Sequence, residues 1–75
     1  MQPNLERIKQ LREAQGLTQA DVALRLGYRS SVGYCRVETG QRRLRIEHLG
    51  ILAELFGVSV SELLTTEMVA GAANG

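Results

Sequence analysis

Six arginines fall within a 21-residue window of this 75-residue chain: Arg25, Arg29, Arg36, Arg42, Arg43 and Arg45. Glu38 is the one acid among them, so residues 25–45 carry a net +5. Residues 1–24 balance to zero and residues 46–75 carry −4, so the total of +1 conceals a strong asymmetry. Guanidinium groups at this density suit a polyanion, because each can donate two parallel hydrogen bonds to a phosphate. The same charge run would also serve as a solvated basic loop. Covalent chemistry has little to work with. His48 stands alone, with no second His, Cys or Asp at ligand spacing, so no metal site is expected. Cys35 is the single cysteine, which excludes an internal disulfide and a cysteine-based zinc site. A nucleophilic role would need a His partner and an oxyanion site. No glycine-rich phosphate loop is present. The expectation is a non-enzymatic binding protein without cofactor.

The arginines need elements to place them, and helical spacing is the dominant pattern. A first helix is expected from about Asn4 to Gln15, with Asn4 as cap, Leu5, Ile8 and Leu11 on one stripe, and Gly16 as its stop. A second opens at Thr18, where Thr18-Gln19-Ala20-Asp21 is close to a capping box; Val22, Ala23 and Leu26 form its apolar stripe and Gly27 ends it. The polar connector Tyr28-Arg29-Ser30-Ser31 holds two candidate caps. A third helix runs to about Thr39, with Tyr34 and Val37 inward and Gly40 as stop. The fourth spans about Ile46 to Phe56, with Ile46, Leu49, Leu52, Ala53 and Phe56 on one face and Gly57 after it. Ile51 and Leu55 point away from that stripe. Ser59 to Leu64 reads as a short fifth helix.

Length allows one small domain with a modest core. Aromatics make up 4% and Trp is absent, so the core must be mainly aliphatic. No β-branched run alternates with period two, which sets the fold class as all-α. No apolar run approaches the roughly 20 residues that cross a bilayer, and Met1 to Arg7 lacks the apolar stretch of a signal peptide. A cytoplasmic protein is expected, with a domain over residues 1–65 and a flexible tail over 66–75.

Two short helices joined around a Gly and followed by basic residues are what a helix-turn-helix requires. Three stretches carry a more specific likeness: Leu11 to Gly27, Arg36-Val-Glu-Thr-Gly-Gln-Arg-Arg-Leu44, and Leu49-x-x-Leu52-Ala53-x-x-Phe56-Gly57-Val58-Ser59 through Leu64. Over about residues 5–64 the chain resembles the phage-repressor-like (Cro/XRE-type) helix-turn-helix family. The resemblance implies a compact five-helix, lambda-repressor-like domain that binds double-stranded DNA.

It also implies roles for residues. Gln19 matches a phosphate-contacting Gln. Arg12 and Glu38 match a partly buried structural salt bridge. Thr39, Gly40, Gln41, Arg42 and Arg43 match the loop that grips the DNA backbone. Ser31, Val32, Gly33 and Arg36 fall on groove-facing positions. Arg36 is the best base-reading candidate, since Arg donates bidentately to guanine; phosphate contact or simple solvation are its alternatives. Ser31 could cap the helix or bond a base or phosphate. Val32 could touch a thymine methyl or pack on Tyr28. Arg29, in the connector, could contact phosphate or face water. The chain departs from the family pattern in a connector one residue longer than usual, in Gly33, and in Tyr34 at a position usually held by a branched aliphatic. Gly33 either permits close approach to DNA or marks a later helix start. The expected function is a sequence-specific transcriptional regulator, a repressor or control protein. It would act as a homodimer with Ile51, Leu55 and Leu64, joined by Met68 and Val69, as candidate interface residues. An antitoxin-type module that binds a small protein partner through the same fold is the alternative.

Overall fold

A computed structural model describes residues 2–65. The order is β1 (Gln2–Pro3), α1 (Leu5–Ala14), α2 (Gln19–Leu26), α3 (Ser31–Glu38), α4 (Ile46–Phe56), a 3-10 turn (Val60–Leu63) and β2 (Leu64–Thr65). The expected tail, with Met68 and Val69, lies outside the described residues.

Local chemistry explains most boundaries. The Asn4 side chain accepts from the Arg7 backbone N–H at 3.1 Å, satisfying one orphan donor of α1. At the start of α2 the capping box is complete: Thr18 Oγ1 accepts from the Asp21 N–H at 3.0 Å, and Asp21 Oδ2 from the Thr18 N–H at 2.8 Å. Gly27 closes α2 in the left-handed conformation, with φ 89°. A side chain there would be strained, which is why a glycine stands at this bend. Ser30 precedes α3 but makes no side-chain capping bond, so the connector serines do not cap that helix as they could have.

Ile8, Val22, Ala23, Leu26, Tyr34, Val37, Leu44, Leu52, Ala53, Phe56 and Leu63 form one core. Each large apolar side chain buried there contributes about 1.5–3 kcal/mol relative to exposure. α2 and α3 pack most closely on each other, and α4 lies across α2 and the 3-10 turn.

The structure corrects three expectations. The four residues Val60–Leu63 form a 3-10 turn, not a fifth α-helix; a segment this short has too few backbone bonds to sustain an α-helix. A two-stranded antiparallel ladder exists, with Gln2 opposite Thr65 and Pro3 opposite Leu64. Ile46 is 83% exposed rather than inward. Leu44, just before the helix, fills the core at that level, and the buried stripe of α4 runs through His48, Leu52, Ala53 and Phe56. Ile51 and Leu55 are half-buried against the core.

Candidate nucleic-acid interface

The C-terminal end of α3 is fixed by a buried ion pair. Arg12 Nε donates to Glu38 Oε2 at 2.8 Å and Arg12 Nη2 donates to Oε1 at 3.1 Å, the two-pronged geometry a guanidinium favours. Arg12 Nη1 also donates to the Leu17 carbonyl at 2.8 Å, tying in the turn before α2. Gln19 Nε2 donates to Glu38 Oε1 at 2.9 Å, so its amide nitrogen serves the cluster and keeps one further hydrogen. Burial pushes the Glu38 carboxyl up, but the bonds from Arg12 and Gln19, with the neighbouring Tyr34 hydroxyl, outweigh it and hold its pKa below the ordinary value. The hydrogen bond to Glu38 raises the Arg12 pKa despite burial. The Tyr34 ring is wholly buried; burial, and then the adjacent Glu38 charge, push its phenol well above the ordinary range. Tyr34 thus fills the core position where the resemblance implied a branched aliphatic.

The N-terminal half of α3 is fixed by an aromatic ring. A Cβ on Gly33 would lie 2.7 Å from Cδ1 of Tyr28, closer than two carbons can approach. Gly33 therefore admits the Tyr28 ring against the helix backbone. The same ring meets the imidazole of His48 edge-on, with centroids 5.4 Å apart and planes at 74°. The guanidinium carbon of Arg42 lies 5.0 Å from its centroid. Sequence reasoning missed this juxtaposition. Its one signal was a glycine inside a helix five residues after a tyrosine.

The loop after α3 is locked to it by the backbone. Gly40 adopts φ 82°, and the N–H groups of Gln41 and Arg42 both donate to the Arg36 carbonyl, at 2.8 and 3.1 Å. The Thr39 hydroxyl donates to the Cys35 carbonyl at 2.9 Å. Arg42 and Arg43 are held beside the helix that carries Arg36.

Of the residues singled out from sequence, Arg29, Val32, Arg36, Arg42 and Arg43 are exposed, while Gln19, Ser31 and Gly33 are half-buried. Among the described residues, Arg29, Arg36 and Arg43 make no side-chain hydrogen bond or ion pair. Arg45 is instead 3.6 Å from Glu47. The basic segment and a buried scaffold beneath it thus form one continuous structure: α2, connector, α3 and loop.

The helix-turn-helix family model HTH_3, of the Cro/C1 (XRE) type, matches residues 8–63. This chain belongs to that helix-turn-helix family. Its fold is the lambda-repressor-like one, with four helices and a 3-10 turn among the described residues. DNA is the partner that goes with an HTH_3 domain, and the family is typically without catalytic activity. No curated protein and no solved structure matches the chain. Among the described residues no helix is long and apolar enough to cross a membrane.

Proposed function

We propose that this HTH_3 domain is a sequence-specific transcriptional regulator, a repressor or control protein, that lays α3 in the major groove. The observation that carries the proposal is the division of α3 into two faces. Tyr34, Val37 and Glu38 are buried, while Val32 and Arg36 are exposed, flanked by Arg29, Arg42 and Arg43. In this reading the flanking cations set register through phosphates, and Arg36 reads a base edge. In the same reading Gln19 and Ser31 complete the contact surface, while Gly33 serves it by seating the Tyr28 ring against α3. The protein works as a homodimer, with its two α3 helices about 34 Å apart on successive turns of DNA. Ile51, Leu55 and Leu64 remain the interface candidates. Leu64 lines an open groove with Pro3, Leu5, Leu44, Ile46 and Leu49 on one side and the loop residues 40–43 on the other, so a second copy seated at Leu64 would lie beside the loop that carries Arg42 and Arg43. The Tyr28 ring accounts for Gly33 within the fold, so this glycine lends no weight to the alternative, a protein-binding module.

The test is binding of Arg36→Ala to a selected duplex and to all of its single-base variants. Discrimination at one base pair should fall by about 1–3 kcal/mol. Equal weakening on selected and random DNA would remove Arg36 from base reading. For the phosphate contacts, Arg42→Ala/Arg43→Ala should flatten the dependence of log K on log salt.

A further inference from the structure

We infer that Tyr28 is the positioning residue of the basic loop: its ring carries the Arg42 guanidinium and fixes where that cation meets the DNA backbone relative to α3. This deepens, and rests on, the DNA-binding reading above.

Three elements converge on one ring. Gly33 of α3 leaves the space that the ring occupies, since any Cβ there would collide with Cδ1. His48 of α4 supports the ring edge-on at 5.4 Å. Arg42 from the loop sits 5.0 Å from the ring centroid, within the range where a guanidinium is drawn to an aromatic face. The Tyr28 backbone is itself pinned, its N–H donating to the Ala23 carbonyl of α2 at 2.9 Å. A residue fixed to α2, α3 and α4 at once therefore holds a cation whose own segment is an exposed loop. Without the ring, Arg42 would have the rotamer freedom of Arg43 and would lose it on binding DNA. Among the described residues the buried Tyr28 hydroxyl has no hydrogen-bond partner, so the ring face and not the phenol performs the task.

The ring makes a mark that needs no variant. In the free wild-type protein the Arg42 side-chain protons should resonate upfield of those of Arg43, by ring current. Equal shifts would overturn the proposal. Affinity for a mixed-sequence duplex is then measured against salt for wild type, Tyr28→Phe, Tyr28→Leu, Arg42→Gln and Tyr28→Leu/Arg42→Gln, each checked for folding by thermal melting. Tyr28→Phe should keep both the upfield shift and the affinity. Tyr28→Leu should lose the shift and weaken binding roughly two- to five-fold, the strength of an exposed cation–π contact. The double variant should bind no more weakly than Arg42→Gln alone. Fully additive losses would mean that Tyr28 acts only through general stability, and would sink the proposal. If Arg42→Gln binds like wild type while Arg36→Ala and Arg43→Ala weaken binding, the DNA reading survives and the role of Tyr28 falls. If the wild-type protein binds no duplex, both fall.

Discussion

At its C-terminal end α3 is held by an ion pair, and in its N-terminal half it is held by a ring; the two anchors obey different physics. Glu38 is reached by Arg12 and Gln19 through hydrogen bonds with fixed directions, and both charges of the pair are buried. Gly33 is reached by Tyr28 through shape alone. A buried charge pair contributes little net stability, yet removal of one partner is severe because the other is stranded. A ring seated on a glycine depends on volume, and is indifferent to the loss of its hydroxyl. Both anchors matter because α3 offers the core only Tyr34 and Val37 as buried apolar residues, over a helix of eight residues with no side-chain cap. Hydrophobic burial alone gives such a helix little to fix its tilt. A helix with one outward-facing task needs its orientation set by more specific contacts.

The strongest way to break this contrast is Glu38→Ala, which removes both carboxylate bonds from the Arg12 guanidinium and leaves it the Leu17 carbonyl and, at 3.7 Å, the exposed Glu13. Urea unfolding should show a loss of about 3–5 kcal/mol, while the paired replacement Arg12→Met/Glu38→Leu should lie near wild type. A loss under about 1 kcal/mol for the single variant would place the pair with solvent-screened surface bridges. Next in size is Gly33→Ala. Helix propensity alone favours alanine by about 1 kcal/mol. The collision with Tyr28 should cost about 1–3 kcal/mol, as overpacking does, so the net change should be a loss. A gain in melting temperature would show that the ring gives way freely and anchors nothing.

The smallest effect separates the anchors by pH. Burial, then the charges of Arg45 and Arg42, hold the His48 imidazole below its ordinary pKa of 6.5. The unfolded chain therefore takes up this proton first, so the ring anchor is fully stable above that value and loses stability as the pH falls below it. Glu38 has a folded pKa below its ordinary 4.5, so its contribution is present above that value and is lost only as the pH falls through the lower, folded one. Melting temperatures between about pH 7.5 and 5.5 should slope downward in wild type and stay flatter in His48→Phe. Identical slopes would remove His48 as the cause.

The helices were legible because their signals are local. Thr18 and Asp21 lie three residues apart, and Gly27 and Gly57 sit where a left-handed residue must stop a helix. The Arg12–Glu38 pairing spans 26 positions and came through family resemblance, not through any pattern in the residues themselves. The errors share a cause. Ile46 fits the helical stripe on paper, but the core at that level was already filled by Leu44, which no periodicity reveals. The strands Gln2–Pro3 and Leu64–Thr65 are two residues each, too short to display an alternation. His48 looked like an isolated residue because its neighbours, Tyr28 and Arg42, come from other elements.

The small ladder has a consequence of its own. Gln2–Pro3 beside Leu64–Thr65, with the Asn4 N–H donating to the Leu63 carbonyl at 2.8 Å, joins opposite ends of the described chain. Closing so large a loop costs the most entropy of any contact in the domain, and the seam returns few hydrogen bonds for it. It should zip last during folding, once α1 and the 3-10 turn already lie together, and open first under load. Such a latch can part and re-form without disturbing the helices beneath it.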